Sequence, residues 1–517
     1  MICVEGQRWK GTSLRSGLLD FGSGSHTGTA CHPGGCLTKW RRKFASAAGL
    51  YSSVAILATA GAIAPVLAPS SWTGIVDAAW AACTVQPDNS YLCSDVSTGE
   101  SILDSGPLTI IADGTFNADN PGGTGVQIEA FDGGINFTQQ SGSTITGSSS
   151  GIYSVSNTSG TQDLFISGDV TGSGDAAVWA VNQSPATDVS VTQTAGSTIT
   201  GYTHGIRIDN YGAGAATVTT AGMIVQTQTG AANYDTYGVY AYNAATATNI
   251  TLIQTAGSIS GNWFGMFANN YGTGSTTIRS AGDVKAIERA GIRAYNASTA
   301  KDIIVDQAAG KIQGGTYGVY VDNGGTGSTT VTLAGAVTAS GAFGVFSNNG
   351  SGATDLSVNQ TGGTITGAFY GIYATNQGTG ATTVTVSGDV TGTGDVGVAA
   401  IGDVNTTGVM VRQTAGSITG ATGIQLSNNG AGPSLVSVAT KVSAGAGAGI
   451  HTLAVNGATI NIASSATLTA SSGVAIRDGG VVGAPTASDA IGGNVVVNSA
   501  GTVTGDAILG LGDDCSI

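Results

Sequence analysis

A short unit recurs from about residue 100 onward, and a fixed recurrence of this length restricts a chain to a solenoid, a propeller or an array. A Gly (once Ala) followed by an apolar residue stands at Gly125, Gly151, Ala177, Gly205, Gly238, Gly265, Gly291, Gly318, Gly344, Gly371, Gly397, Gly423, Gly449 and Gly473. Most intervals are 26 or 27 residues, and one of 33 precedes Gly238. Alternate units differ, because Gln-Thr-Ala-Gly-Ser recurs at 193–197, 254–258 and 413–417. The full period is therefore a pair of units, about 53 residues.

Within a unit the side chains alternate. The residue after the anchor is Val126, Ile152, Val178, Ile206, Val239, Met266, Ile292, Val319, Val345, Ile372, Val398, Ile424, Ile450 or Val474, always apolar. Two places on come small or aliphatic residues such as Ala180, Ala241, Ala268, Ala294, Val321, Ala374 and Ala400. Period two places both sets on one face of a strand. The fifth place is Asn in nine units: Asn182, Asn210, Asn243, Asn270, Asn296, Asn323, Asn349, Asn376 and Asn428. Asn tolerates the left-handed conformation and bonds its own turn, and stacked copies can bond one another.

A second run alternates hydroxyl and aliphatic residues, as at Thr382, Thr383, Val384, Thr385 and Val386. A third, such as Thr198, Ile199 and Thr200, ends at a Gly. Three short strands in about 26 residues describe one coil of an all-β, right-handed parallel β-helix. Fourteen rungs at roughly 4.8 Å make a rod about 65 Å long. The repeats occupy residues 125–500, with a cap over 83–124 and a C-terminal end over 501–517. A propeller with one blade per 53 residues fits less well, since each half-repeat keeps its own register. Leucine-rich repeats lack a counterpart to their leucine pattern here.

Composition agrees. Of 517 residues 84 are Gly, more than twice the usual share of about 7%. Charged residues are only 9% while 41% are hydrophobic, which excludes a wholly disordered chain. Nine Pro and no Gly-X-Y period exclude collagen. After residue 82 there are 10 bases against 28 acids, a net charge of −18. Such a surface repels phosphate backbones, so nucleic acid is not an expected partner.

The N-terminus reads as an address. Lys39, Trp40, Arg41, Arg42 and Lys43 precede an uncharged run over 44–76, and Ala78, Ala79, Trp80, Ala81 and Ala82 supply small-residue cleavage sites. Residues 37–82 are thus expected to be a cleaved signal segment. A membrane anchor is the other reading of that run. Residues 1–36 match neither a signal nor a domain. Cys83 and Cys93 flank a turn-rich loop and are close enough to pair in an oxidising compartment. Cys83 also invites a lipoprotein reading, but no aliphatic residue stands three places before it. Cys31, His32 and Cys36 offer three metal ligands in the segment before the signal.

The long basic signal, the Cys83 and Cys93 pair, and coils of the Gly-Ile-Tyr-Ala-Thr-Asn kind at 371–376 resemble the passenger region of bacterial autotransporters. The resemblance is to the alphaproteobacterial kind with Gly/Thr-rich repeats and covers residues 37–500. It implies export and display on, or release from, the outer membrane. It also implies a C-terminal translocator barrel, whose ten-residue amphipathic strands and aromatic girdles do not begin before Ile517. The expectation is a passenger without its translocator, from a truncated or frame-shifted gene or as a separately secreted rod. Any contact with a membrane would pass through that missing translocator.

Function rests on the outward place between the two inward ones. Down the rungs it holds Tyr153, Trp179, Arg207, Tyr240, Phe267, Arg293, Tyr320, Phe346 and Tyr373, seven aromatics in a chain with 6%. Rings stack on sugar faces, and Arg bonds hydroxyls or carboxylates. The column reads as a stripe binding glycans, a host surface or another copy, or as a ladder bracing the rungs. The competing class is a β-helical polysaccharide lyase or hydrolase. A glycosidase needs two carboxylates about 5–9.5 Å apart. Asp209 with Asp322, Asp302 with Asp306, and Asp169 with Asp175 are the candidate pairs, and they read more simply as turn residues. His204 and His451 stand alone, so no catalytic triad forms. No residue set calls for a cofactor or metal in the repeats.

Overall fold

The Gly-apolar-aromatic units form the first strands of successive coils, such as Tyr317–Asn323, Phe343–Asn349 and Tyr370–Asn376. Alternating β-branched and aromatic residues suit a pleated surface, and the Asn/Gly segments that follow supply turns. Each coil adds a second strand, such as Ala381–Val386, and a third, such as Asp389–Gly392. The computed structural model describes residues 82–230, 235–479, 493–509 and 515–516. The extension over 1–36 and the signal segment up to residue 81 lie outside the described residues.

Among the described residues the chain is all-β, a parallel β-solenoid of about 14 turns. Each strand pairs in parallel with its counterpart in the next coil, place for place: Val319 faces Val345, which faces Ile372, which faces Val398. The columns of third and first strands merge at Thr467–Asp478, which pairs with both Lys441–Ala444 and Ile450–Ala454. The 33-residue interval leaves the register intact, since Ile206 still faces Val239. Its extra residues enlarge the connection between Met223–Gln226 and Tyr237–Asn243. Cys83–Val85 and Tyr91–Cys93 form the antiparallel hairpin at the start of the described chain, where Cys83 and Cys93 are joined as a disulfide.

The apolar residue after each anchor is fully buried from Val126 to Ile450. The anchors themselves mark a corner where the third strand bends into the next first strand. A Cβ on Gly344 would lie 2.6 Å from Ile365 Cγ2 and 2.6 Å from the carbonyl oxygen of Gly371. Gly318, Gly371, Gly397 and Gly423 meet the same two obstacles. Gly is therefore required here by the approach of the next coil.

Two boundaries change. Gly473 is not an anchor: it turns at φ 83°, Val474 is only half-buried, and Ile450 faces Ile476. A bulged corner has placed a Gly-Val pair two residues early, and Ala475 takes the anchor's place above Gly449. The segment read as a cap over 83–124 already contains a full coil. Glu100–Asp104, Leu108–Ala112 and Asn117–Asn120 pair with the three strands of the next one. Glu100 occupies the apolar place, where its carboxylate accepts the Ala82 N–H (3.0 Å) and the Ser97 hydroxyl (2.6 Å). Likewise Thr502–Ile508 continues the stack beyond residue 500.

The nine ladder asparagines are buried, but none adopts the left-handed conformation; among the described non-Gly residues only Asn89 and Asp95 have positive φ. They end strands and bond the turn that follows. Asn376 Nδ2 donates to Gly380 O (3.2 Å), and its Oδ1 accepts the Gly378 N–H (2.9 Å). Asn349 instead reaches Thr354 O and Asp355 O, and the two patterns alternate from coil to coil. Asn210 to Asn243 is the rung-to-rung bond of the ladder among the described residues. A second polar column is Gln193, Gln254, Gln307, Gln360 and Gln413, all buried. Gln360 Nε2 donates to Gly363 O (3.1 Å) in its own turn and to Asp389 O (3.2 Å) in the next coil. Gly363 needs its φ of 65° for that turn. Asn and Gln stitching thus gives the paired 53-residue period a physical cause.

Gly344→Ala should destabilise the rod by about 1–3 kcal/mol through overpacking at the corner. Gly362→Ala, whose Cβ would meet only Ala334 O at 3.4 Å, should cost under about 0.5 kcal/mol. Urea titrations of the two variants against the parent check the contrast, and equal costs would contradict it.

Candidate functional site

The nine outward residues stand in one register: Tyr153, Trp179, Arg207, Tyr240, Phe267, Arg293, Tyr320, Phe346 and Tyr373 face one another in order. They are not freely exposed, however. Most are half-buried and Phe267 is buried. The cover comes from a second row, the residue before each anchor: His204, Tyr237, Phe264, Ala290, Tyr317, Phe343 and Tyr370. Strict alternation would turn this residue inward. The bend at the anchor Gly turns it outward instead, beside the column.

The two rows interlock. Tyr317 stacks on Phe343 (centroids 5.4 Å) and Phe343 on Tyr370 (5.1 Å), while Phe346 lies parallel to Tyr373 at 5.5 Å. Such ring pairs contribute about 0.5–1.5 kcal/mol each beyond the area they bury. Burial raises the phenol pKa values of Tyr240, Tyr320 and Tyr373, so these hydroxyls remain protonated.

A third, more open row went unread in the sequence. Tyr211, Tyr242, Tyr271 and Tyr295 follow one another at 5.6–5.8 Å between centroids. Tyr211 is 41% and Tyr271 42% exposed. The signal lay in the dipeptides: Tyr follows the ladder Asn at 210–211 and 270–271 but precedes it at 242–243 and 295–296. The paired period moves the residue by two places, which hides the row from a single-unit alignment.

Charge is distributed unevenly over this face. The Arg207 guanidinium lies over Trp179 (4.5 Å) and donates to Asp209 Oδ2 (2.7 Å), which also accepts the Trp179 indole N–H (2.8 Å). Burial opposes the Arg207 charge, and the Asp209 ion pair outweighs it and raises the pKa. His204 is buried against Tyr237, with Nδ1 2.8 Å from Thr203 Oγ1. Burial, aided by Arg207, lowers its pKa to about 3. Asp235, 3.8 Å from His204 Nε2, pulls the other way, but it is largely exposed and burial dominates.

The carboxylates weighed as catalytic pairs serve other bonds. Asp209 and Asp322 are four rungs apart, roughly 19 Å, too far for a glycosidase pair. Asp169 Oδ1 accepts the Thr198 N–H and Asp302 Oδ1 the Ser328 N–H, each from the next coil at 2.7 Å. Asp175 accepts the Thr203 hydroxyl, and Asp306 stands opposite Arg279. Among the described residues no group of three or more His, Cys, Asp or Glu could hold a metal ion. Cys31, His32 and Cys36 lie outside them. No protein family, curated protein or solved structure matches the chain.

His204 gives a pH signature. Its folded pKa lies below the ordinary value of about 6.5, so under that pH the unfolded chain binds a proton that the folded chain does not. Stability is therefore lost as pH falls through this window. Between pH 7 and 5 the parent should lose about 2 kcal/mol more than His204→Phe. Urea midpoints of both at the two pH values check this, and parallel losses would contradict it.

Proposed function

We propose that the chain is an exported, adhesin-like rod of the autotransporter-passenger type, displayed at the cell surface or released from it, whose aromatic face binds glycans. The observation that carries this reading is the face's confinement to part of the rod. The coils at Val396–Gly402 and Thr422–Asn428 keep the register with Ala399 and Gln425 where other coils carry rings. A coil therefore forms without an aromatic residue, and the rings between Tyr153 and Tyr373 call for a further role. Flat rings with a hydroxyl at the edge stack on sugar faces and bond their hydroxyls. The Cys83–Cys93 disulfide suits an oxidising compartment and so supports export.

An inert stalk is the second reading, favoured by the ring-on-ring packing of the inner rows. The two part at Tyr211 and Tyr271, which are exposed. Replacing both by Ser removes three ring contacts and should cost about 1.5–4.5 kcal/mol, with the strand circular dichroism of the parent retained. Titration of the full chain with cellohexaose, dextran and homogalacturonan oligomers should show binding by the parent and at least a tenfold loss in the variant. Unchanged affinity contradicts the reading. So does a parent that binds none of the three and instead sediments as an oligomer through these tyrosines.

A further inference from the structure

Arg289 and Arg293 differ from Arg207, the third arginine of the aromatic face. Arg207 is neutralised by Asp209. Neither Arg289 nor Arg293 pairs with a carboxylate or donates a hydrogen bond among the described residues, and Arg293 Nε is buried without an acceptor. The ion pairs among those residues are His204 with Asp235 and Arg207 with Asp209. Leaving guanidinium donors half-buried and unmet is unfavourable.

Their setting is a break in the wall of rings. The place that carries Phe264 in one coil and Tyr317 two coils on holds Ala290 between them. Both guanidiniums stand at this notch, where Ala290 itself is buried among the flanking rings. Arg293 Cζ is 5.2 Å from the Phe267 centroid and 4.4 Å from that of Tyr320. Arg289 Cζ is 5.2 Å from the Trp263 centroid, and both arginines lie within 5.8 Å of the Phe264 ring. Burial, and then the charge of Arg293, lowers the pKa of Arg289, so the two cations oppose each other until an anion joins them. Planar guanidinium forks match a carboxylate in two-point geometry, and flanking rings suit the sugar that carries it.

We propose that the notch at Ala290 is the subsite for the carboxylate of an acidic sugar, held by Arg289 and Arg293 and flanked by Trp263 and Tyr320. This rests on the reading of the face as a glycan surface and names the class of glycan, one that carries uronic acids.

The test uses the full chain with homogalacturonan oligomers, either as free acids or fully methyl-esterified on the same backbone. The parent should bind the acid at least tenfold more tightly than the ester at low salt, a comparison that needs no variant. Arg289→Gln combined with Arg293→Gln should remove that preference, so that the variant binds acid and ester with equal affinity. Equal affinity of the parent for acid and ester overturns the subsite and leaves the glycan surface standing. Binding of dextran sulfate without homogalacturonan overturns the carboxylate assignment. Binding of neither oligomer, nor of cellohexaose or dextran, overturns the subsite together with the glycan reading on which it rests.

Discussion

Every feature of this rod depends on the return of each coil to the same register. Parallel strands joined by backbone bonds lie about 4.8 Å apart, so a coil that ended one residue late would turn its inward side chains out. The corner enforces the return. The carbonyl of the next anchor and a β-branched methyl fill the space that a Cβ on the anchor would need. Extra residues can enter only where no strand must pair, as in the long connection before Tyr237–Asn243. Once register holds, equal positions stack, and a residue chosen at one place becomes a column.

That stacking explains what could be read from the sequence. Inward columns such as Val319, Val345 and Ile372 were legible because burial demands apolar residues at period two. The corner was less legible, because alternation predicts an inward side chain before each anchor and the bend reverses it. Tyr317, Phe343 and Tyr370 were missed for that reason. Gln307 and Gln360 were visible as a recurring motif but not as a buried column, since Gln is ordinarily exposed. Glu100 hid the first coil by placing a charge where the pattern calls for an aliphatic residue. The ladder asparagines were correctly placed at strand ends, but their backbone conformation was not the left-handed one expected.

The aromatic face combines two kinds of surface. Its inner rows are packed against each other and behave as part of the structure, with phenols held protonated by burial. Its outer row exposes Tyr211 and Tyr271, and the two arginines beside Ala290 are half-buried without a carboxylate partner among the described residues. The proposed binding role rests on this division: the inner rings hold the outer groups in fixed rows, where a ligand would meet them. Preorganised rings and guanidiniums lose little freedom on binding, which favours affinity for a repeating polymer.

The central claim, stacking at one coil per strand spacing, is tested most directly by spin-label distances in the second strands. Ser190 and Thr383 occupy the same outward place seven pairings apart. Asp163 lies one pairing further from Thr383. With the other thiols outside the Cys83–Cys93 disulfide replaced by Ser, labels at 190 and 383 should lie about 34 Å apart, and labels at 163 and 383 about 38 Å. A separation that does not lengthen when the label moves back by one unit would contradict the account.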